Sequence, residues 1–101
     1  MDVYQMELSA AVRELLDATV GEMVELFGIS RAEAVARINE QWHGRDFSGD
    51  DEIVLHEDRH YWAMLIYFDG EVPDWSDDAD RSGWVARPAP ARDSGHWTVP
   101  G

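Results

Sequence analysis

Leu8, Val12, Leu15, Leu16, Thr19, Val20, Met23, Leu26 and Phe27 recur at the spacing of one helical face, while Glu7, Glu14, Asp17, Gly21 and Glu25 fall opposite. Side chains three and four apart share one side of an α-helix, so the pattern predicts a helix over about 3–27. Asp2 is its expected cap, with Gln5 at the third helical position. Gly21 costs about 1 kcal/mol relative to alanine inside a helix, but the stripe continues in phase beyond it. At Leu26-Phe27-Gly28-Ile29-Ser30 one helix stops and the next starts. Gly28 suits the left-handed position that ends a helix, Ser30 is a cap, and Glu33 completes the capping-box pattern. The second helix is expected over about 31–43. Ala34, Val35, Ile38 and Trp42 form its apolar face, Glu33 and Arg37 an i,i+4 ion pair, and Gly44 the stop. Two helices joined so tightly must pack against each other.

Beyond them the pattern weakens. Residues 45–52 read as a loop around Ser48-Gly49-Asp50-Asp51, and Ile53-Val54-Leu55 as a short extended segment. Residues 56–70 fit two descriptions. The aromatic and β-branched content suits a strand, which would give an α+β fold with a small hairpin at 53–68. Asp58 as a cap, Ala63-Met64-Leu65 and a terminal Gly70 favour a third helix over about 58–69, with Trp62, Leu65 and Ile66 facing inward beside Tyr61 and Phe68. From Glu71 onward Pro73, Pro88, Pro90 and Pro100, with Gly83 and Gly95, prevent long elements. The expected fold is mainly α: a helical hairpin plus a short third helix in residues 1–70, and an irregular tail over 71–101. Trp75, Trp84 and Trp97 lie in that tail, and three tryptophans are more than a solvated segment carries. They either clamp the tail onto the helices, the favoured expectation, or stand exposed as anchors for a partner.

With 101 residues, one domain is expected. Charge changes the picture more than size does. The net charge is -13, and it is uneven. Residues 1–44 carry eight acids and three arginines for -5, residues 45–80 twelve acids and two arginines for -10, and residues 81–101 one acid and three arginines for +2. Nucleic acid and anionic membranes require clustered basic side chains and are disfavoured as partners, whereas a basic protein is favoured. There is no cysteine, no basic-then-apolar leader in Met1-Asp2-Val3-Tyr4-Gln5-Met6-Glu7, and no apolar run long enough to span a bilayer. A cytoplasmic protein is the expectation.

Two stretches resemble metal sites. His56-Glu57-Asp58-Arg59-His60 spells H-E-x-x-H, in which two histidines a helical turn apart hold zinc and the glutamate activates water. Both intervening residues are charged, however, and a helix capped by Asp58 leaves His56 outside it, so a charged helix entrance is the simpler reading. Residues 78–85 follow the first half of a calcium loop, with Asp78, Asp80 and Ser82 at oxygen-ligand positions and Gly83 at the turn. Ala89 then stands where the closing glutamate belongs, between Pro88 and Pro90, which favours an acidic turn. No phosphate loop, serine-nucleophile motif or catalytic cysteine is present. No catalytic residue and no cofactor are therefore assigned.

The combination Leu26-Phe27-Gly28-Ile29-Ser30, Ala34, Arg37-Ile38-Asn39, Trp42, Gly44, His56-Glu57-Asp58, Tyr61-Trp62-Ala63 and Ile66-Tyr67 resembles a group of small uncharacterised bacterial proteins over residues 20–70. Their size and acidity are similar to those of immunity and antitoxin proteins. The group carries no activity to transfer; the charge of -10 within residues 45–80, beside Trp75 and Trp84, points to a non-catalytic protein-binding module, an inhibitor or immunity protein for a basic partner. Asp74, Trp75, Asp77, Asp78 and Trp84 are the expected partner surface, with carboxylates steering encounter and a tryptophan supplying the anchor.

Overall fold

The computed structural model describes residues 3–49, 53–68, 72, 75–76 and 78–100. The fold is mainly α. Its elements are a short strand β1 (Glu7–Leu8), α1 (Ala10–Phe27), α2 (Arg31–Trp42), a short strand β2 (Asp46–Phe47), a 3-10 turn (Ile53–His56) and α3 (Arg59–Tyr67). The third helix forms as expected, and the alternative, an α+β fold with a small hairpin at 53–68, does not. Asp58 Oδ1 accepts the Tyr61 N–H at 2.9 Å and starts a helix there instead.

The junction of α1 and α2 has the chemistry its residues demand. Gly28 adopts φ 67° and donates its N–H to Val24 O at 3.0 Å. A side chain at that backbone angle is strained, which is why glycine stands there. Ser30 Oγ accepts the Glu33 N–H at 3.0 Å. The Glu33 carboxylate turns to Arg37 rather than back to the cap, with Arg37 Nε donating to Glu33 Oε2 at 2.8 Å. α1 runs unbroken through Gly21 and buries Val12, Leu16, Thr19, Val20 and Met23. Buried Thr19 satisfies its hydroxyl within the helix, on Leu15 O.

The first helix starts later than its stripe suggests. Ser9 caps it by accepting the Val12 N–H, and residues 3–8 leave the helical path. Glu7 N–H donates to Arg45 O and Ser9 N–H to Phe47 O, so β1 pairs in parallel with β2. This pairing also places a strand inside the segment expected to be a loop. Leu8 remains in phase with the stripe, but the backbone on either side of it, at Glu7 and Ser9, is bonded to Arg45 and Phe47. Tyr4 and Met6 are thereby carried into the core. Tyr4 donates its hydroxyl to Asp17 at 2.6 Å, and burial first, then this bond, raises the phenol pKa. The segment expected to be extended, Ile53–Leu55, is instead part of the 3-10 turn. Val54 is buried there, and its carbonyl accepts the Trp62 indole N–H at 2.8 Å. Asp2 and Gly70, expected as cap and stop, lie outside the described residues.

α2 is more deeply enclosed than a one-sided helix. Besides Ala34, Val35, Ile38 and Trp42, it buries Ala32, Ala36, Arg37 and Asn39. The tail meets it at Arg37 and Asn39. Asn39 is the knot. Its Oδ1 accepts the Gln5 N–H at 2.9 Å, and its Nδ2 donates to Val3 O and His96 O, both at 3.0 Å. One amide therefore holds the first and last described segments to the middle of the chain. Arg37 does the same nearer the helix start. Its Nη1 donates to Arg87 O at 2.8 Å, and its guanidinium lies 4.7 Å from the Tyr67 ring centroid. The tail also bridges to the end of α3, where Phe68 pairs with Ala86 and Arg87 N–H donates to Tyr67 O.

Candidate binding notch

The aromatic side chains form two files. One runs from Phe47 to Trp42 (ring centroids 5.5 Å apart), Trp62 (5.2 Å), Tyr61 (4.7 Å) and Trp75 (4.5 Å). Its inner members meet edge to face, and its last pair, Tyr61 and Trp75, is stacked within 12° of parallel. Phe47 and Trp42 are buried, Trp62 and Tyr61 half-buried, and Trp75 is 41% exposed. The Trp62 indole bond to Val54 fixes the middle of the file. The outermost ring is thus held by a continuous series of contacts rooted in the core.

Beside Trp75 lies a cleft of about 220 Å³ lined by Glu57, Asp58, His60, Tyr61 and Trp75. Each lining residue has a local reason to be there. Asp58 caps α3. Glu57 precedes it in the exposed turn. Tyr61 and His60 occupy the first turn of α3, and His60 Nδ1 lies 3.0 Å from Glu22 Oε2 on α1. Arg59 reaches toward the same glutamate, with Nε 3.9 Å from Oε1, and does not line the cleft. The cleft therefore combines two carboxylates with an exposed indole stacked on Tyr61.

The other tail tryptophans are packed. Trp84 is half-buried, edge-on to Phe68 at 5.1 Å, and closes a second file in which Phe27 stacks on Tyr67 at 3.9 Å and meets Phe68 at 5.3 Å. It stands as a clamp rather than as the exposed anchor expected of it. Trp97 donates its indole N–H to Pro90 O and carries the Arg92 guanidinium over its ring. Of the expected partner surface, Trp75 and Asp78 are exposed, while Asp74 and Asp77 lie outside the described residues. Tyr61 was expected to face inward, and its stacking under Trp75 is a contact that no local spacing encodes.

The two metal-like stretches have different geometries from those their patterns describe. His56 ends the 3-10 turn and is exposed, whereas His60 belongs to α3, so the pair does not share one helix face. In the calcium-like loop, Ser82 donates both its N–H (3.1 Å) and its hydroxyl (2.7 Å) to Asp80 Oδ1. These bonds, the hydroxyl's first, hold the Asp80 carboxyl below its ordinary pKa. Among the described residues, no three His, Asp or Glu side chains are grouped to hold a metal ion, and no helix is long and apolar enough to cross a membrane.

Comparison with protein-family models, with curated proteins and with solved structures finds no match to this chain.

Proposed function

We propose that this chain is a non-catalytic binding module for a basic protein partner, acting as an inhibitor or immunity-type protein through the face centred on Trp75. The observation that carries this reading is the rooted aromatic file, which ends in a 41% exposed tryptophan beside Glu57 and Asp58. Exposing an indole costs hydrophobic free energy that burial would have recovered. Holding it rigid lowers the entropy lost when a partner covers it. Residues 45–80 carry twelve of the chain's acids, so the field around this face attracts cationic surfaces.

In such a complex the carboxylates act on approach and the indole on retention. Affinity capture from the native cell, with mass spectrometry of the retained proteins, identifies the partner. The expected partner is basic, and its association slows steeply with added salt, because exposed charges are screened beyond about 10 Å at 0.1 M ionic strength. Replacing Asp74, Asp77 and Asp78 together by Asn slows association, whereas Trp75→Ala speeds dissociation. Capture of an acidic partner, or association indifferent to salt, overturns the proposal.

A further inference from the structure

We infer that the cleft beside Trp75 receives a single arginine side chain of the partner and discriminates it from lysine. This rests on the reading of that face as a partner surface. The lining supplies the complementary chemistry. Trp75 gives one face of its indole to Tyr61, at 4.5 Å and 12° from parallel, and is still 41% exposed. Glu57 and Asp58 stand on the same cleft, which at about 220 Å³ has room for one side chain rather than a segment of backbone.

A planar guanidinium satisfies both parts at once. It stacks on an aromatic face, and its fork of N–H groups meets a carboxylate in two parallel bonds. An ammonium is a compact, strongly hydrated point charge that gains the attraction without the stacking or the fork. The charges around the cleft have the required sign. The N-terminal end of α3 carries the positive end of the helix dipole, but Asp58 caps that end and Glu57 adds a second carboxylate. His60 contributes no uncompensated cation, because the Glu22 carboxylate lies 3.0 Å from its Nδ1.

The test is a titration of the full, nitrogen-15-labelled chain with end-blocked Gly-Arg-Gly and Gly-Lys-Gly peptides. The indole N–H signal of Trp75, assigned by its loss in Trp75→Phe, is followed by NMR. The expected result is a saturable shift of that signal with the arginine peptide, and binding of the lysine peptide weaker by about threefold or more. Glu57→Gln weakens the arginine peptide at that signal. In the two variants that lack the indole, the backbone amide signals of the lining residues His60 and Tyr61 are followed instead: Trp75→Phe retains part of the binding and Trp75→Ala abolishes it, with circular dichroism confirming that each variant is folded. Equal binding of the two peptides, or shifts centred on Trp84 or Trp97, overturns the inference. The two proposals fail separately. A basic, salt-steered partner together with equal arginine and lysine binding removes only the arginine pocket. Selective arginine binding together with an acidic captured partner removes the proposed function instead.

Discussion

The two aromatic files begin alike and end differently. Each starts on a ring in or against the core, runs through rings on α3 or its C-terminal cap, and finishes on a tryptophan from the tail. In the file that begins at Phe27, Trp84 lies edge-on to Phe68 and is half-buried. The tail then crosses the end of α3, with Arg87 N–H on Tyr67 O, Arg87 Nε on Phe68 O and Arg37 Nη1 on Arg87 O. In the file that begins at Phe47, Trp75 stacks on Tyr61 and remains 41% exposed. One end is tied down by hydrogen bonds to backbone carbonyls, two of them from arginine side chains, and the other is left open among carboxylates. The same residue type, in the same irregular tail, therefore serves packing at one end and presents a surface at the other. What separates the two roles is the cover that follows each ring.

Truncation at successive points along the files tests that contrast. Trp42→Ala, at the root of the open file, empties a buried site against Phe47 and Trp62, and is expected to cost about 3–5 kcal/mol in denaturant unfolding. A loss under ~1 kcal/mol would mean that the file is not anchored in the core. Asn39→Leu attacks the closed end indirectly by releasing the seam that holds the tail. It strands the Gln5 N–H and the His96 carbonyl, while Val3 O keeps the Thr98 hydroxyl, at an expected cost of about 2–3 kcal/mol. Faster proteolysis of residues 86–100 should accompany it. Trp84→Ala removes a half-buried ring and is expected to cost about 1.5–3 kcal/mol. Trp75→Ala gives up only a stacking contact on a surface ring and should cost under about 1 kcal/mol. If Trp75→Ala destabilises as much as Trp84→Ala, both ends are closed and the contrast disappears.

Tyr4, a buried ring outside both files, provides a pH calibration of what closure means. Its pKa is raised, so the neutral phenol is favoured in the fold. The associated stability is fully present below the unfolded tyrosine pKa of about 10 and is lost as pH rises toward the higher folded value. Ultraviolet titration should show this ring un-ionised until the chain unfolds in alkali. Free titration of every tyrosine near pH ~10 would place Tyr4 in water.

The helical hairpin was legible because its signals are local. Gly28, Ser30 and the stripes of α1 and α2 each act within a few residues, and Asp58 announced α3 in the same way. The N-terminal strand was not legible, since Leu8 fits the helical stripe and only the distant residues Arg45 and Phe47 draw the backbone away. Asn39 was equally silent. A polar residue on a helix reads as solvent-facing until the first and last segments of the chain close over it. In the candidate site, Trp75 could be singled out from an acidic tail, but Tyr61 beneath it and Glu57 beside it could not. Stacking across a chain reversal leaves no periodicity. Trp84 gave the same compositional signal as Trp75, and only the crossing of the tail at Arg87 distinguishes them.

The open end of the file makes its sharpest demand on the bound state. The decisive measurement is the dissociation rate of the captured partner from the native chain, from Trp75→Ala and from Trp84→Phe, each at low and high salt. An anchor held from the core predicts much faster dissociation for Trp75→Ala, a rate near native for Trp84→Phe, and salt acting mainly on association. A partner that leaves Trp75→Ala as slowly as it leaves the native chain would contradict it, and the exposed indole would then have no part in binding.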